Sequence, residues 1–411
     1  MRSIRVDKLA QWMLELIGLL VAFAVIFILR FRNFDFAGSI LIAAGIIGVT
    51  SGKPLTIFVD VLVETVGDKT TWELCAAVGL ITVFGYALKE TGHMVELIDR
   101  LRSFLPSRFL LALIPALFGI LSMPGGALMS APFNEPESDR LKLKPEHRTF
   151  INVWFRHVWY WASPISPSTL LAVSITGVAL NQFIAVNFPL FLLTWVIGFA
   201  ISWRWIQKEE KTEVRERDYR ASAVGLSPIL VTVALTLLSI PVWGAVLVGI
   251  GIVILIRRVD VGRAAGFFRK GVKLDIVAAV FATLFFRYMV MAAGSVTLLL
   301  ENVLSMGVPL LALLIVIPLL VGTVSAQPTL GIGIVFPILM PLVAPINVYT
   351  LTLIFAGIVA GYNASPLHLC LILTNQYYRS ELHRVYKYLV PGTLFLFLLM
   401  VVYHSKLAGL W

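Results

Sequence analysis

Apolar residues run along this chain in long blocks separated by short polar stretches. A helix needs ~20 apolar residues to cross the ~30 Å hydrocarbon core of a bilayer. Blocks of that character recur at roughly 10–31, 36–50 (short), 71–90, 149–177, 186–205, 223–239, 241–257, 272–291, 347–377 and 389–405. Two more, about 109–133 and 309–345, carry Pro and Gly near their middles. The pattern predicts an all-α polytopic membrane protein. The one plainly water-soluble stretch, WRWIQKEEKTEVRERDYR, divides it into an N-terminal half (1–205), a cytoplasmic linker (206–222) and a C-terminal half (223–411).

Composition agrees. Of 411 residues, 59% are hydrophobic and 14% charged, whereas soluble domains carry about 25% charged residues. That excludes a soluble globular protein, a disordered chain and a disulfide-stapled miniprotein. The net charge of +10 would fit a nucleic-acid partner in a soluble protein; here it reads as cytoplasmic loop charge. The two cysteines, Cys75 and Cys370, lie in apolar stretches and form no CxxC and no metal-ligand spacing. They read as helix-packing thiols, and no dedicated metal site or cofactor is expected. The basic MRSIRVDK before the first apolar block resembles a signal peptide, but no small-residue cleavage site precedes Arg30. It reads as a retained first helix.

Two basic stretches, 204–220 and 257–273, are separated by two spans and therefore share one face, the cytoplasmic one. They also orient an internal repeat. YALKETGHMVELIDRLRSFLPSRFLLALIPALFGILSMPGGALMSAPF and YMVMAAGSVTLLLENVLSMGVPLLALLIVIPLLVGTVSAQPTLGIGIVFP share one order of features, pairing Gly92 with Gly294, Ser122 with Ser325, and Pro132 with Pro337. Downstream, WYWASPISPSTLL pairs with GYNASPLHLCLIL, placing Ser163 opposite Ser365. The first copy has Lys89, Arg100, Arg102 and Arg108 in its amphipathic stretch; the second has no Lys or Arg over 293–308. The two copies are thus expected to face opposite sides of the membrane, an inverted-topology repeat of the transporter kind.

Each interrupted block then reads as a re-entrant hairpin (109–133 and 309–345), and 149–177 and 347–377 as broken transmembrane helices. Irregular backbone at membrane depth is tolerated where it is buried in protein or lines a cavity. The breaks carry Ser122, Pro124, Gly125 and Gly126 in the first hairpin and Ser325, Gln327, Pro328 and Thr329 in the second. Ser163 and Ser166 lie in one broken helix, Asn363 and Ser365 in the other. Orphan N–H groups at half-helix ends attract anions, and orphan carbonyls suit a cation such as sodium. These twelve residues are the expected substrate site, with sodium expected near Ser122, Ser163, Ser325 and Asn363.

Asn152, Arg156, Trp159 and Ser163 share one helical face, and Arg156 is a candidate cation for an anionic substrate. Against that stands a position near the cytoplasmic interface, where Arg snorkels and Trp anchors. His368 is a candidate substrate or proton contact, or a packing histidine. The EPESD run after the first hairpin is expected to be a loop. No HExxH, GxSxG or P-loop is present, which speaks against an enzyme or an ATP-driven pump.

SMPGGALMSAP, NVWFRHVWYWASPISPS and NASPLHLCLILTNQYY together resemble a family of prokaryotic integral membrane proteins of unknown function. That family is similar to the ion transporter superfamily, with gluconate, citrate, sodium–dicarboxylate and arsenite permeases as relatives. The resemblance covers most of the chain. It implies a secondary transporter in the cytoplasmic (inner) membrane, moving a small, usually organic, anion with sodium or a proton. It also implies an elevator mechanism and a homodimer. This chain departs from the sodium–dicarboxylate relatives, whose hairpins carry repeated Ser-Asn-Thr motifs. An uncoupled anion channel or uniporter is the alternative.

Overall fold

The computed structural model describes residues 2–32, 34–103, 105–120, 126–206, 219–294, 304–325 and 327–410. Every regular element among them is a helix. The first hairpin tip (121–125), most of the central linker (207–218) and most of the second amphipathic stretch (295–303) lie outside the described residues. So do the expectations for Ser122, Pro124 and Gly125.

Before the first copy come α1 (Arg2–Phe31), α2 (Phe36–Thr50) and α3 (Ile57–Gly67). The first copy itself begins with α4 (Lys69–Glu90) and the short amphipathic α5 (His93–Arg102). A hairpin follows, α6 (Ser107–Ile120) and α7 (Gly126–Arg140). The broken helix comes next: α8 (Pro145–Arg156), one 3₁₀ turn (Val158–Trp161) and α9 (Pro167–Thr176), before the long α10 (Leu180–Ile206). Three helices then connect to the second copy: α11 (Tyr219–Leu237), α12 (Val242–Ile256) and α13 (Val261–Gly271). The second copy repeats the order as α14 (Leu274–Ala293), hairpin arms α15 (Leu310–Ser325) and α16 (Pro328–Val343), broken halves α17 (Val348–Ala364) and α18 (Leu369–Tyr378), and α19 (Leu382–Leu407).

Local chemistry sets these boundaries. Asp35, Asp68 and Asn347 each accept a hydrogen bond from a first-turn backbone N–H of α2, α4 and α17. Pro167 and Pro328 open α9 and α16, where the missing N–H has no intrahelical role. Gly92 and Gly294, paired by sequence, both take the left-handed backbone conformation that ends α4 and α14.

Among the described residues, Lys69–Glu90, Leu180–Ile206, Leu274–Ala293, Val348–Tyr378 and Leu382–Leu407 are long and apolar enough to cross a membrane, the fourth interrupted at Ser365–His368. The hairpin arms are shorter, 14 to 16 residues. Large apolar side chains such as Leu55, Val63, Val196 and Leu398 point outward and exposed, as a lipid-facing surface requires. The chain is a multi-pass membrane protein.

Packing between the copies is reciprocal. α16 packs on α9, and α7 packs on α18, so each hairpin's second arm supports the other copy's broken helix. Tyr378 donates to the Ala131 carbonyl at 2.8 Å. Within each copy, the first hairpin arm meets the first half of the broken helix backbone to backbone. A Cβ on Gly119 would overlap the Arg156 carbonyl, and one on Gly322 would overlap that of Ile358. Cys75 touches the Val277 carbonyl at 4.0 Å, and the rings of Tyr160 and Tyr362 lie 5.9 Å apart; in each case a residue meets its own counterpart. Reciprocal contacts of this kind arise about a two-fold axis, and counterparts meet only near it.

Two boundaries differ from the expectation. α7 runs through the EPESD run to Arg140, so this segment is helix rather than loop. Its Glu137 is buried and pairs with Arg102 at 3.2 Å, while Arg140 donates to Ser107 across the hairpin base. A charge partner from α5 made burial of that acid tolerable, and a partner distant in sequence gives no local signal. The broken helix begins at Pro145 rather than near 149. Arg156 is therefore the last residue of α8, and only 6% exposed.

Candidate functional site

A cavity of about 890 Å³ opens where the two copies meet. One wall comes from unbroken helices: Phe27 of α1, Phe36 of α2, Ile81 and Thr82 of α4, and Ile276, Ala279 and Val280 of α14. The facing wall comes from the breaks. Arg156, His157, Tyr160, Ser166 and Ser168 belong to the first broken helix. Ser325, Gln327, Pro328 and Thr329 form the tip of the second hairpin, and Tyr362 and Cys370 flank the second break.

The breaks place these groups. A turn at Pro164–Ile165 breaks the helix and helix resumes at Pro167, so Ser166, in extended backbone, sits in the half-in position before α9. Gln327 holds the same position before α16. The Ser168 and Thr329 hydroxyls meet at 3.0 Å, joining the first copy's broken helix to the second copy's hairpin tip. The N-termini of α9 and α16 thus converge on one place with hydroxyls and an amide around them. Such ends carry partial positive charge, and the buried Arg156 guanidinium adds a full one beside them. Asp35 and Asp275 also border the cavity, both on exposed positions at the unbroken wall.

Of the residues singled out in the sequence, Arg156, Ser166, Ser325, Gln327, Pro328 and Thr329 line this cavity. Gly126 opens α7. Ser163 and Ser365 are fully buried behind the wall; the Ser365 hydroxyl donates to the Thr323 carbonyl at 2.6 Å, tying the second break to its hairpin. Asn363 lines a separate small pocket with Trp154, His157 and Thr393. His368 is buried beside Tyr362, ring centroids 3.9 Å apart. The tryptophans are packing elements: Trp154 lies against Gly198 and Gly392, and the Trp159 indole donates to the Ala116 carbonyl at 2.7 Å.

Residues 15–405 match the family described as protein of unknown function, DUF401. The chain belongs to the DUF401 family. No curated protein matches it. Among solved structures, the DUF401 chain is similar to the YdaH transporter of Alcanivorax borkumensis, described as having an unusual topology. The TM-score is 0.60 at 14% identity, over 86% of this chain and 88% of that one. At that identity the likeness concerns the fold.

Sequence reasoning missed Tyr160, Tyr362, His157 and Cys370 as cavity residues, and placed Ser168 only within the Ser163–Ser168 break. Ser168 and Cys370 occupy equivalent positions in the aligned WYWASPISPS and GYNASPLHLC segments. The repeat alignment itself was the signal available for them.

Proposed function

We propose that this chain is a secondary active transporter that moves a small, organic anion across the cytoplasmic membrane of a prokaryote. Sodium or a proton drives it, and the two copies lie inverted in the bilayer. The observation that carries this reading is the cavity between the copies, with Arg156 in its wall beside the N-termini of α9 and α16. Its shape supports an elevator mechanism: one wall is a scaffold of unbroken helices, and the other is a body of hairpins and broken helices able to slide as a unit. The likeness to a transporter fold supports transport over catalysis. Homodimerisation through the scaffold belongs to the same proposal.

The test is a stabilisation screen followed by uptake. An anion that prefers the folded state raises the apparent melting temperature, and each stabilising anion is then offered, labelled, to proteoliposomes under imposed sodium or proton gradients. Uptake driven by one gradient is the expected result. Uptake indifferent to every cation gradient would replace coupled transport with facilitated diffusion. Failure of every anion to stabilise the protein or to accumulate would remove the anion reading.

A further inference from the structure

The repeat alignment makes Ser166 and Ser168 of the first copy equivalent to His368 and Cys370 of the second. The same two places therefore carry two hydroxyls in one copy and an imidazole and a thiol in the other. His157 approaches the second pair from the first broken helix. One donor atom from each of His157, His368 and Cys370 can be chosen so that all three lie within 4.8 Å of one another. The position equivalent to His157 in the second copy is Val359, so the mirror place, with Ser166 and Ser168, lacks these donors.

Three features point to a ligand rather than to packing. His368 is fully buried, and neither ring nitrogen makes a well-formed hydrogen bond among the described residues, the Asn363 carbonyl being its nearest backbone acceptor. Leaving a buried polar group unpaired costs about 1–3 kcal/mol, and a helix interior offers many apolar alternatives. His157 Nδ1 lies 2.6 Å from the Val153 carbonyl. A carbonyl only accepts, so Nδ1 carries the proton and Nε2 keeps its lone pair, which faces the Tyr362 hydroxyl at 3.3 Å; an entering ion would displace that hydroxyl. This is how proteins hold a metal-binding imidazole in register, with the far nitrogen donating to a carbonyl. Finally, the cluster borders the cavity through His157, Tyr362 and Cys370, so an ion has a route in.

We infer that His157, His368 and Cys370 form a binding site for a borderline-soft divalent ion of the zinc class, bridging the two broken helices. Two imidazoles and a thiolate select zinc-like ions over sodium, magnesium or calcium. The donors lie within 4.8 Å of one another, and an ion would draw them in to the roughly 3.5 Å spacing of a tetrahedral site with bonds of about 2.0–2.3 Å. Binding displaces the thiol proton of Cys370 to solvent. Three protein donors leave a fourth position for water or another oxygen ligand, on the side of the cavity. The site does not depend on the substrate of transport.

The test uses the full chain in detergent with Cys75→Ser, which leaves Cys370 as the only thiol of the two. Cobalt(II) should bind once per chain, with a thiolate-to-cobalt charge-transfer band and tetrahedral d–d bands, and zinc should displace it. His157→Ala, His368→Ala and Cys370→Ser should each abolish the charge-transfer band while eluting as the parent does on size exclusion. In the parent, zinc at ten times its dissociation constant should slow maleimide labelling of Cys370 about tenfold; this readout stands even if a variant fails to fold. No saturable cobalt spectrum, a charge-transfer band that survives Cys370→Ser, or labelling unchanged by zinc would each overturn the site.

Discussion

At the scale of single residues, each copy is held together by groups too small to announce themselves. Gly119 and Gly322 let each hairpin touch the backbone of its broken helix. Gly119→Ala and Gly322→Ala should each destabilise the protein by about 1–3 kcal/mol, because an overpacked contact must push backbone aside. Gly45→Ala, with nothing near its added carbon, serves as the neutral control in a detergent melting series. Equal melting of all three would contradict the packing. The Ser168–Thr329 hydrogen bond joins the copies at the cavity. Ser168→Ala should cost stability by only about 0.5–1.5 kcal/mol yet slow uptake of whichever anion the screen identifies; uptake at the parent rate would remove this contact from the transport path.

Elements show what was legible in the sequence and what was not. The broken helices were readable because Ser-Pro pairs interrupt apolar runs at matching positions, and Pro removes a backbone donor and disfavours helix continuation. The end of α7 was not, because EPESD looks like a solvated loop until Arg102 reaches Glu137 from α5. The helix over the basic stretch 257–273, α13, was also read as loop, since its charge masked an amphipathic period. Three of the twelve proposed binding residues were placed away from the cavity only by geometry: Ser163 and Ser365 are buried behind its wall and Asn363 lines a separate pocket, a depth that residue type does not report; Ser122, Pro124 and Gly125 lie outside the described residues. Outside the spans, Glu96 on α5 pairs with Arg100 and with Arg257 at the end of α12. The hydrogen bonds from Arg100, and then from Arg257, hold its carboxyl below the usual carboxylate value of 4.5. A lowered folded pKa stabilises at pH above the unfolded value, and that stability is lost as pH falls through the folded one. Melting temperature should therefore drop on acidification below about pH 4.5, and Glu96→Gln should flatten that part of the profile. An unchanged profile would show that the clamp contributes nothing.

For the whole molecule, the repeat explains why one cavity is built from two distant parts of the chain. Each hairpin rests on the other copy's broken helix, so neither half completes the site alone. The apolar blocks made the membrane character readable. The convergence of α9 and α16, and the meeting of His157 with His368 and Cys370, depend on a two-fold arrangement that spacing along a chain does not encode. The central claim is that the cavity between the copies carries the transported anion. The most direct measurement is uptake of the stabilising anion by proteoliposomes holding the parent chain, Gln327→Ala or Arg156→Gln, at equal and correctly folded protein. Parent uptake should be saturable and both variants should lose it, through weaker binding worth about 1–3 kcal/mol per lost polar partner. Saturable uptake at the parent rate by both variants would place the path elsewhere in the molecule.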